Sequence, residues 1–188
     1  MKLIVRISLL TLLMSLVFSS AWADKYSETK IMFEKAGASN MFNTAYGYAI
    51  FPTIGKAGFI VGGAYGEGRV YQQGVYIGDT TMAQATVGFQ LGGSGFSQVI
   101  FFQNAHALSQ FTNGNFEFGA EAQAVVLTAA AGATAKTVGS SATASGGKNN
   151  AATAGNGYYK GMATFTITKG GLMYEATIGG QKFSFTRR

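Results

Sequence analysis

Residues 81–91 read TMAQATVGFQL. In an extended backbone they send Thr81, Ala83, Ala85, Val87, Phe89 and Leu91 to one side and Met82, Gln84, Thr86, Gly88 and Gln90 to the other. A period of two sustained over this length predicts a strand with one apolar and one polar face. The run FEFGAEAQAVV, 116–126, repeats the pattern, with Phe116, Phe118, Ala120, Ala122, Ala124 and Val126 opposing Glu117, Gly119, Glu121, Gln123 and Val125. Shorter runs follow the same rule: Tyr46, Tyr48 and Ile50 before Pro52; Phe59, Val61, Gly63 and Tyr65 after it; then Ala163, Phe165 and Ile167; Tyr174, Ala176 and Ile178; Phe183 and Phe185. A chain built this way must fold as a sheet.

Glycine marks the breaks between runs: Gly66-Glu67-Gly68, Gly78-Asp79, Gly92-Gly93, Asn113-Gly114, Gly170-Gly171 and Gly179-Gly180. Several of these are two-residue hairpin signals. Close spacing without a long intervening helix predicts antiparallel pairing, in a sheet that curls on itself, barrel-like, or folds into a sandwich. The fold class is mainly β (α+β), with an N-terminal helix and one short additional helix. The first helix is predicted over 24–38, where Tyr26, Thr29, Met32, Phe33 and Ala36 share a face, Ser27, Lys30 and Glu34 lie opposite, and Gly37 is the stop. Its three lysines are offset by Asp24, Glu28 and Glu34, which favours a helix packed on the sheet over one lying on a membrane. The second is 104–111, with Ala107, Leu108 and Phe111 on one face.

The chain opens MKLIVRISLLTLLMSLVFSSAWA, two basic residues, an apolar run from Ile7 to Phe18 and an Ala21-x-Ala23 site. This layout predicts a signal peptide, 1–23, cleaved after Ala23. The expected location is beyond the inner membrane, periplasmic or membrane-peripheral, and the absence of a cysteine after the signal excludes a lipid-anchored form. Lys2 and Arg6 leave with the signal, so of 14 basic side chains 12 remain against 8 acidic ones, a net of +4. The lysines are scattered. Such a balance suits an anionic surface and falls short of the basic stripe of a nucleic-acid binder. With no cysteine there is no disulfide, and stability must come from a core that a single domain, 24–188, is long enough to bury. Residues 137–156, almost wholly Ala, Gly, Ser, Thr, Lys and Asn, bury too little to offset ordering and are expected to form a mobile loop. A strand pair packed against something bulky is the competing reading.

No catalytic or metal constellation emerges. IGKAGFIVGGAYGEGRVY, 54–71, lacks the glycine five positions before Gly55-Lys56 and the hydroxyl after it that a phosphate-binding P-loop requires, and Gly66-Glu67-Gly68 has no third glycine opening a helix. His106 is the sole histidine, expected at the surface or as a cap. Glu117 and Glu121, four residues apart on one strand, stand about 13 Å from each other, too far for a catalytic dyad, and are read as solvated. Glu67 and Arg69, flanking a presumed turn glycine, are expected to pair. The reading is a protein that is not an enzyme, with no cofactor and no metal.

The blocks GYAIFP (47–52), GKAGFIVGGAYGEG (55–68), TVGFQLGG (86–93), GFSQVIFF (95–102) and FEFGA (116–120) occur in the order that resembles the SYLF domain, also called the Ysc84 actin-binding or DUF500 family, over residues 25–187. The 55–68 block carries the most specific part of the resemblance. It implies that these glycines belong to a strand, turn and strand of the family core, and it implies lipid binding; some members also bind phosphoinositides and actin. A secretion signal would take this chain where neither phosphoinositide nor actin is at hand, which leaves anionic phospholipid or another amphiphile as the expected partner. If the N-terminal helix meets headgroups, Lys25, Lys30 and Lys35 are its cations, with Lys56 and Arg69 beside the glycine-rich hairpin as second candidates. Two alternatives stay open at this point: a small outer-membrane β-barrel, whose strands would alternate in the same way, and a secreted scaffold without a ligand.

Overall fold

The computed structural model describes residues 21–58, 61–87, 94–119, 122, 125–127, 158, 160–169 and 178–188. The segment 1–20 of the predicted signal and the loop 137–156 lie outside the described residues. Helix α1 (Ala21–Phe33) runs through a kinked turn (Glu34–Ala38), broken at Gly37, into α2 (Ser39–Thr44). Eight strands follow, with one short helix: β1 (Gly47–Gly58), β2 (Val61–Gln72), β3 (Val75–Val87), β4 (Ser94–Phe102), α3 (Ala105–Phe111), β5 (Phe116–Glu117), β6 (Val125–Leu127), β7 (Met162–Lys169) and β8 (Lys182–Arg187). They form one sheet in the order β5-β8-β3-β2-β1-β4-β7-β6, curled into an open half-barrel. Pairing is antiparallel throughout except for β6 on β7, which is parallel.

Both faces of the half-barrel are packed at one end. On the inner face Ala49, Phe51, Ile54, Val70, Met82 and Ile100 meet α3, which contributes Ala107, Leu108 and Phe111. Phe111 is the hub of an aromatic group, with ring centroids 5.0 Å from Phe102 and 5.0 Å from Phe183. The outer face carries Tyr48, Ile50, Val99, Phe101, Ala163 and Ile167, covered by Tyr26, Phe33, Ala36 and Ala38 of the N-terminal helical segment. Burying a side chain such as Phe33 stabilises by about 1.5–3 kcal/mol, so this contact is what holds α1 on the sheet.

The predicted helices form, with instructive detail. Tyr26, Thr29, Phe33 and Ala36 are buried, as the 3.6-residue period requires, and Met32 is half-buried. Gly37 does break the helix, at φ 105°, yet the chain re-enters helical geometry through Thr44 because Met41 and Phe42 still find the outer cluster. In α3, Asn104 Oδ1 accepts the Ala107 amide at 3.0 Å, an N-cap that the Asn-x-x-Ala spacing supplies.

The strands correct four expectations. First, the faces of β2 and β3 are inverted. Gly63, Tyr65, Ala83 and Ala85 are exposed, while Ala64, Gly66, Gly68, Met82 and Gln84 are buried. The cause is steric: a Cβ on Gly66 would stand 2.5 Å from Ile54 Cγ1, and one on Gly68 would stand 2.6 Å from the Phe51 ring. The glycines therefore admit the large side chains of β1 into the core. Gln84 is tolerated inside because its amide donates to the Gly179 carbonyl at 3.0 Å. Second, Gly66-Glu67-Gly68 and Gly78-Asp79 are mid-strand. The β2–β3 turn is Gln73-Gly74, both at positive φ (49° and 82°), a two-residue hairpin. Third, 116–126 is not one strand. Ala122 N–H turns back to the Gly119 carbonyl at 3.0 Å, and β5 and β6 end up on opposite edges of the sheet. Fourth, Pro52 lies within β1, at the register shift between Ile50 and Thr53, where its missing donor is accommodated by a bulge.

Candidate functional site

The outer face is covered only in part. Where α1 begins, Tyr26 lies 7% exposed, and the Arg69 guanidinium of β2 stacks on its ring at 4.3 Å from the centroid. The far side of the guanidinium faces Tyr76, 5.0 Å from that centroid. Arg69 is also drawn to Asp79, its cross-strand partner on β3, with Nε 3.9 Å from Oδ1. It does not pair with Glu67, because both residues point outward two positions apart along β2, whereas Asp79 stands directly opposite. Lys25, one residue before Tyr26, holds Nζ over the same ring at 5.1 Å. Burial pushes the Tyr26 hydroxyl upward in pKa, partly opposed by the Arg69 charge.

Beyond this junction the sheet is open. Lys25, Pro52, Thr53, Tyr65, Gly66 and Glu67 line a cleft of about 240 Å³. Parity places its floor: Thr53 pairs with Glu67, Gly55 with Tyr65, and Tyr65 with Ala83, so these rows present their side chains together. Lys169, at the end of β7, reaches the same rim and donates from Nζ to Thr53 Oγ1 at 2.9 Å. The cleft thus has cations at one side, a carboxylate at the other and a half-exposed tyrosine ring between small neighbours.

The five cations expected to touch headgroups separate into distinct environments. Lys25 and Arg69 converge on Tyr26 at the cleft. Lys30 is 3.7 Å from Glu34, one helical turn on, and lies 5.4 Å over the Phe42 ring. Lys35 is exposed on the kinked turn between α1 and α2. Lys56 lies on the inner face with Nζ 5.1 Å over Phe96, and burial lowers its pKa; it and Arg69, neighbours of one hairpin in sequence, are on opposite sides of the sheet. Glu117 is 3.5 Å from Lys182, an exposed pair, and Glu121 lies outside the described residues. His106 is exposed on α3, with Nε2 3.0 Å from Gln110 Nε2.

Of the cleft residues sequence reasoning names Lys25 alone as a site residue and misses Thr53, Tyr65, Glu67 and Lys169. Lys169 was within reach: Ala163, Phe165 and Ile167 share the outer face, and the same parity carries Lys169 onto it. Tyr65 was assigned to a buried apolar run, and only the glycine contacts on the other face reveal that it points to solvent.

A family model, Ysc84, described as Las17-binding protein actin regulator, matches residues 83–187. The chain belongs to this family. The matched region runs from the end of β3 through β8, while α1, α2, β1, β2 and the first part of β3 precede it. The Ysc84 match includes Asp79's strand from Ala83 onward and Lys169, but the glycine-rich block 55–68 and the residues Lys25 and Arg69 lie N-terminal to it. A search of curated proteins returns no match.

Proposed function

We propose that this chain is an exported, non-catalytic module of the Ysc84 family that binds phospholipid headgroups, or a similar amphiphile, on the open part of its outer face. The observation that carries the reading is the placement of Lys25 in, and Lys169 at the rim of, a cleft on the part of the sheet face that α1 leaves uncovered among the described residues. Cations at such a rim attract an anionic surface, each by about 1 kcal/mol near the membrane. The apolar opening sequence supports export. The family is described by actin regulation, and an exported chain would act on a different surface.

The barrel alternative receives less support. Outer-membrane barrels turn an apolar band outward and a polar lumen inward, whereas here Phe51, Ile54, Ile100 and Phe111 fill the inside and a helix packs on the outside. No helix among the described residues is long and apolar enough to cross a membrane.

Co-sedimentation with phosphatidylglycerol vesicles tests the proposal. The purified protein is expected to pellet with them at low salt and to be released as ionic strength rises. Lys25→Glu weakens pelleting and Lys35→Glu leaves it unchanged. A protein that stays in the supernatant with every vesicle composition would remove the lipid reading and leave the scaffold alternative.

A further inference from the structure

The cleft carries both signs of charge. Glu67 points into it from β2, and among the described residues it takes no part in the ion pairs Lys30–Glu34, Arg69–Asp79 and Lys182–Glu117. A surface built for a purely anionic headgroup would be weakened by a carboxylate at its centre, since like charges a few ångströms apart repel.

Tyr65 sits beside Glu67, 55% exposed, an unusual position for a large aromatic on a strand. Its cross-strand neighbours are Gly55 and Ala83, and its nearest neighbour on the same face toward the other end of β2 is Gly63. A Cβ on Gly55 would meet nothing within 4 Å. Among the described residues the cross-strand neighbours of Tyr65 are therefore small, and the Glu67 carboxylate lines the same cleft on the same face of β2. An accessible ring face next to a carboxylate is the arrangement that holds an organic ammonium, by cation–π attraction and direct charge.

The cleft is also lined by Lys25 and by the Lys169-bound hydroxyl of Thr53, the cross-strand partner of Glu67, donors that suit a phosphate. The cleft's volume of about 240 Å³ is below the roughly 300–1,000 Å³ of pockets that engulf a drug-sized ligand. It has room for a headgroup and none for acyl chains.

We infer that the cleft between α1 and β2 recognises a zwitterionic phospholipid headgroup, its phosphate on Lys25 and Thr53 and its ammonium on Tyr65 and Glu67. This rests on the lipid-binding reading above and names the headgroup class for that same site. The membrane, and not a soluble phosphate ester, is the occupant, because the exposed rows beside the cleft carry only the small residues Gly55, Gly63, Ala83 and Ala85 and leave the headgroup of a bilayer room to approach.

The test measures co-sedimentation of the purified protein, and of Glu67→Gln and Tyr65→Ala variants, with vesicles of phosphatidylcholine and phosphatidylethanolamine in equal parts and with vesicles of phosphatidylglycerol. Both substitutions are at exposed positions, and circular dichroism verifies folding. The expected result is binding of the wild type to the zwitterionic vesicles, weakened about five-fold or more by either substitution, the loss of one cation–π or charge contact. Glu67→Gln should at the same time leave phosphatidylglycerol binding equal or stronger. Wild-type binding to phosphatidylglycerol alone, or equal losses on both vesicle types, overturns the headgroup assignment while the lipid-binding reading survives. Binding to neither overturns both, and binding that moves from the pellet to soluble phosphocholine when that is added as competitor at low concentration overturns the choice of a membrane as occupant.

Discussion

Arg69 lies between two tyrosine rings, 4.3 Å from the centroid of Tyr26 on α1 and 5.0 Å from that of Tyr76 on β3, so one strand residue ties the first helix to the sheet. Its buried Nε makes no hydrogen bond among the described residues, which leaves stacking as the main contact. Arg69→Met keeps much of the packed stem and removes the charge. The expected cost is about 1 kcal/mol, a fall in melting temperature of roughly 2–4 °C for a chain of this size. Hydrogen exchange should rise in α1 and stay unchanged in α3. A variant with the wild-type melting point would show that the apolar contacts of Tyr26, Phe33, Ala36 and Ala38 hold the helical segment without the Arg69 charge.

Two glycines of the same hairpin should respond oppositely to alanine. At Gly68 a Cβ would stand 2.6 Å from the Phe51 ring and 2.8 Å from the Ile50 carbonyl oxygen, and backbone cannot yield cheaply. Gly68→Ala is expected to destabilise by about 1–3 kcal/mol through overpacking. At Gly55 nothing lies within 4 Å of the added atom, so Gly55→Ala should be neutral or slightly stabilising by limiting the unfolded chain. Urea unfolding of the two variants distinguishes the positions.

This contrast explains what could be read from the sequence and what could not. The sheet, the antiparallel hairpins and the apolar triplet Ala107, Leu108 and Phe111 were legible because period and spacing encode them directly. The faces of β2 and β3 were not, because Gly63, Ala64, Gly66, Gly68, Ala83 and Ala85 are too small to mark a side, and the decisive atoms belong to Phe51 and Ile54 on another strand. The long run at 116–126 misled for a different reason: Phe116, Phe118 and Ala122 do reach the inner core, but through a turn that satisfies the Phe118 amide on the Gln181 carbonyl. Lys25 and Arg69 were both nameable as cations. Their meeting on Tyr26 depends on how α1 docks, which no local pattern contains.

Alkaline pH should destabilise the protein through Tyr48. Burial raises its hydroxyl pKa from 10.0 to about 12, with smaller contributions from Tyr71 and Glu34. The unfolded chain then gives up the proton first, binds fewer protons than the folded one between these values, and stability falls as pH rises from about 10 to 12. Below pH 10 the contribution is fully present. Tyr48→Phe should flatten the fall over that window in denaturant titrations run at successive pH values. The remaining slope belongs to Tyr26, Tyr76 and Tyr158, whose pKa values burial also raises. An unchanged slope in the variant would contradict the assignment to Tyr48.

Amide NMR spectra of the purified protein with vesicles carrying a headgroup spin label measure most directly whether lipid seats on the outer-face cleft. Selective broadening of Thr53, Gly55, Tyr65, Glu67 and Ala83, with Leu108, Phe111 and Phe183 of the inner face left sharp, is the expected pattern. Broadening centred on α3 and β8, or no broadening at all, would contradict a headgroup site between α1 and β2.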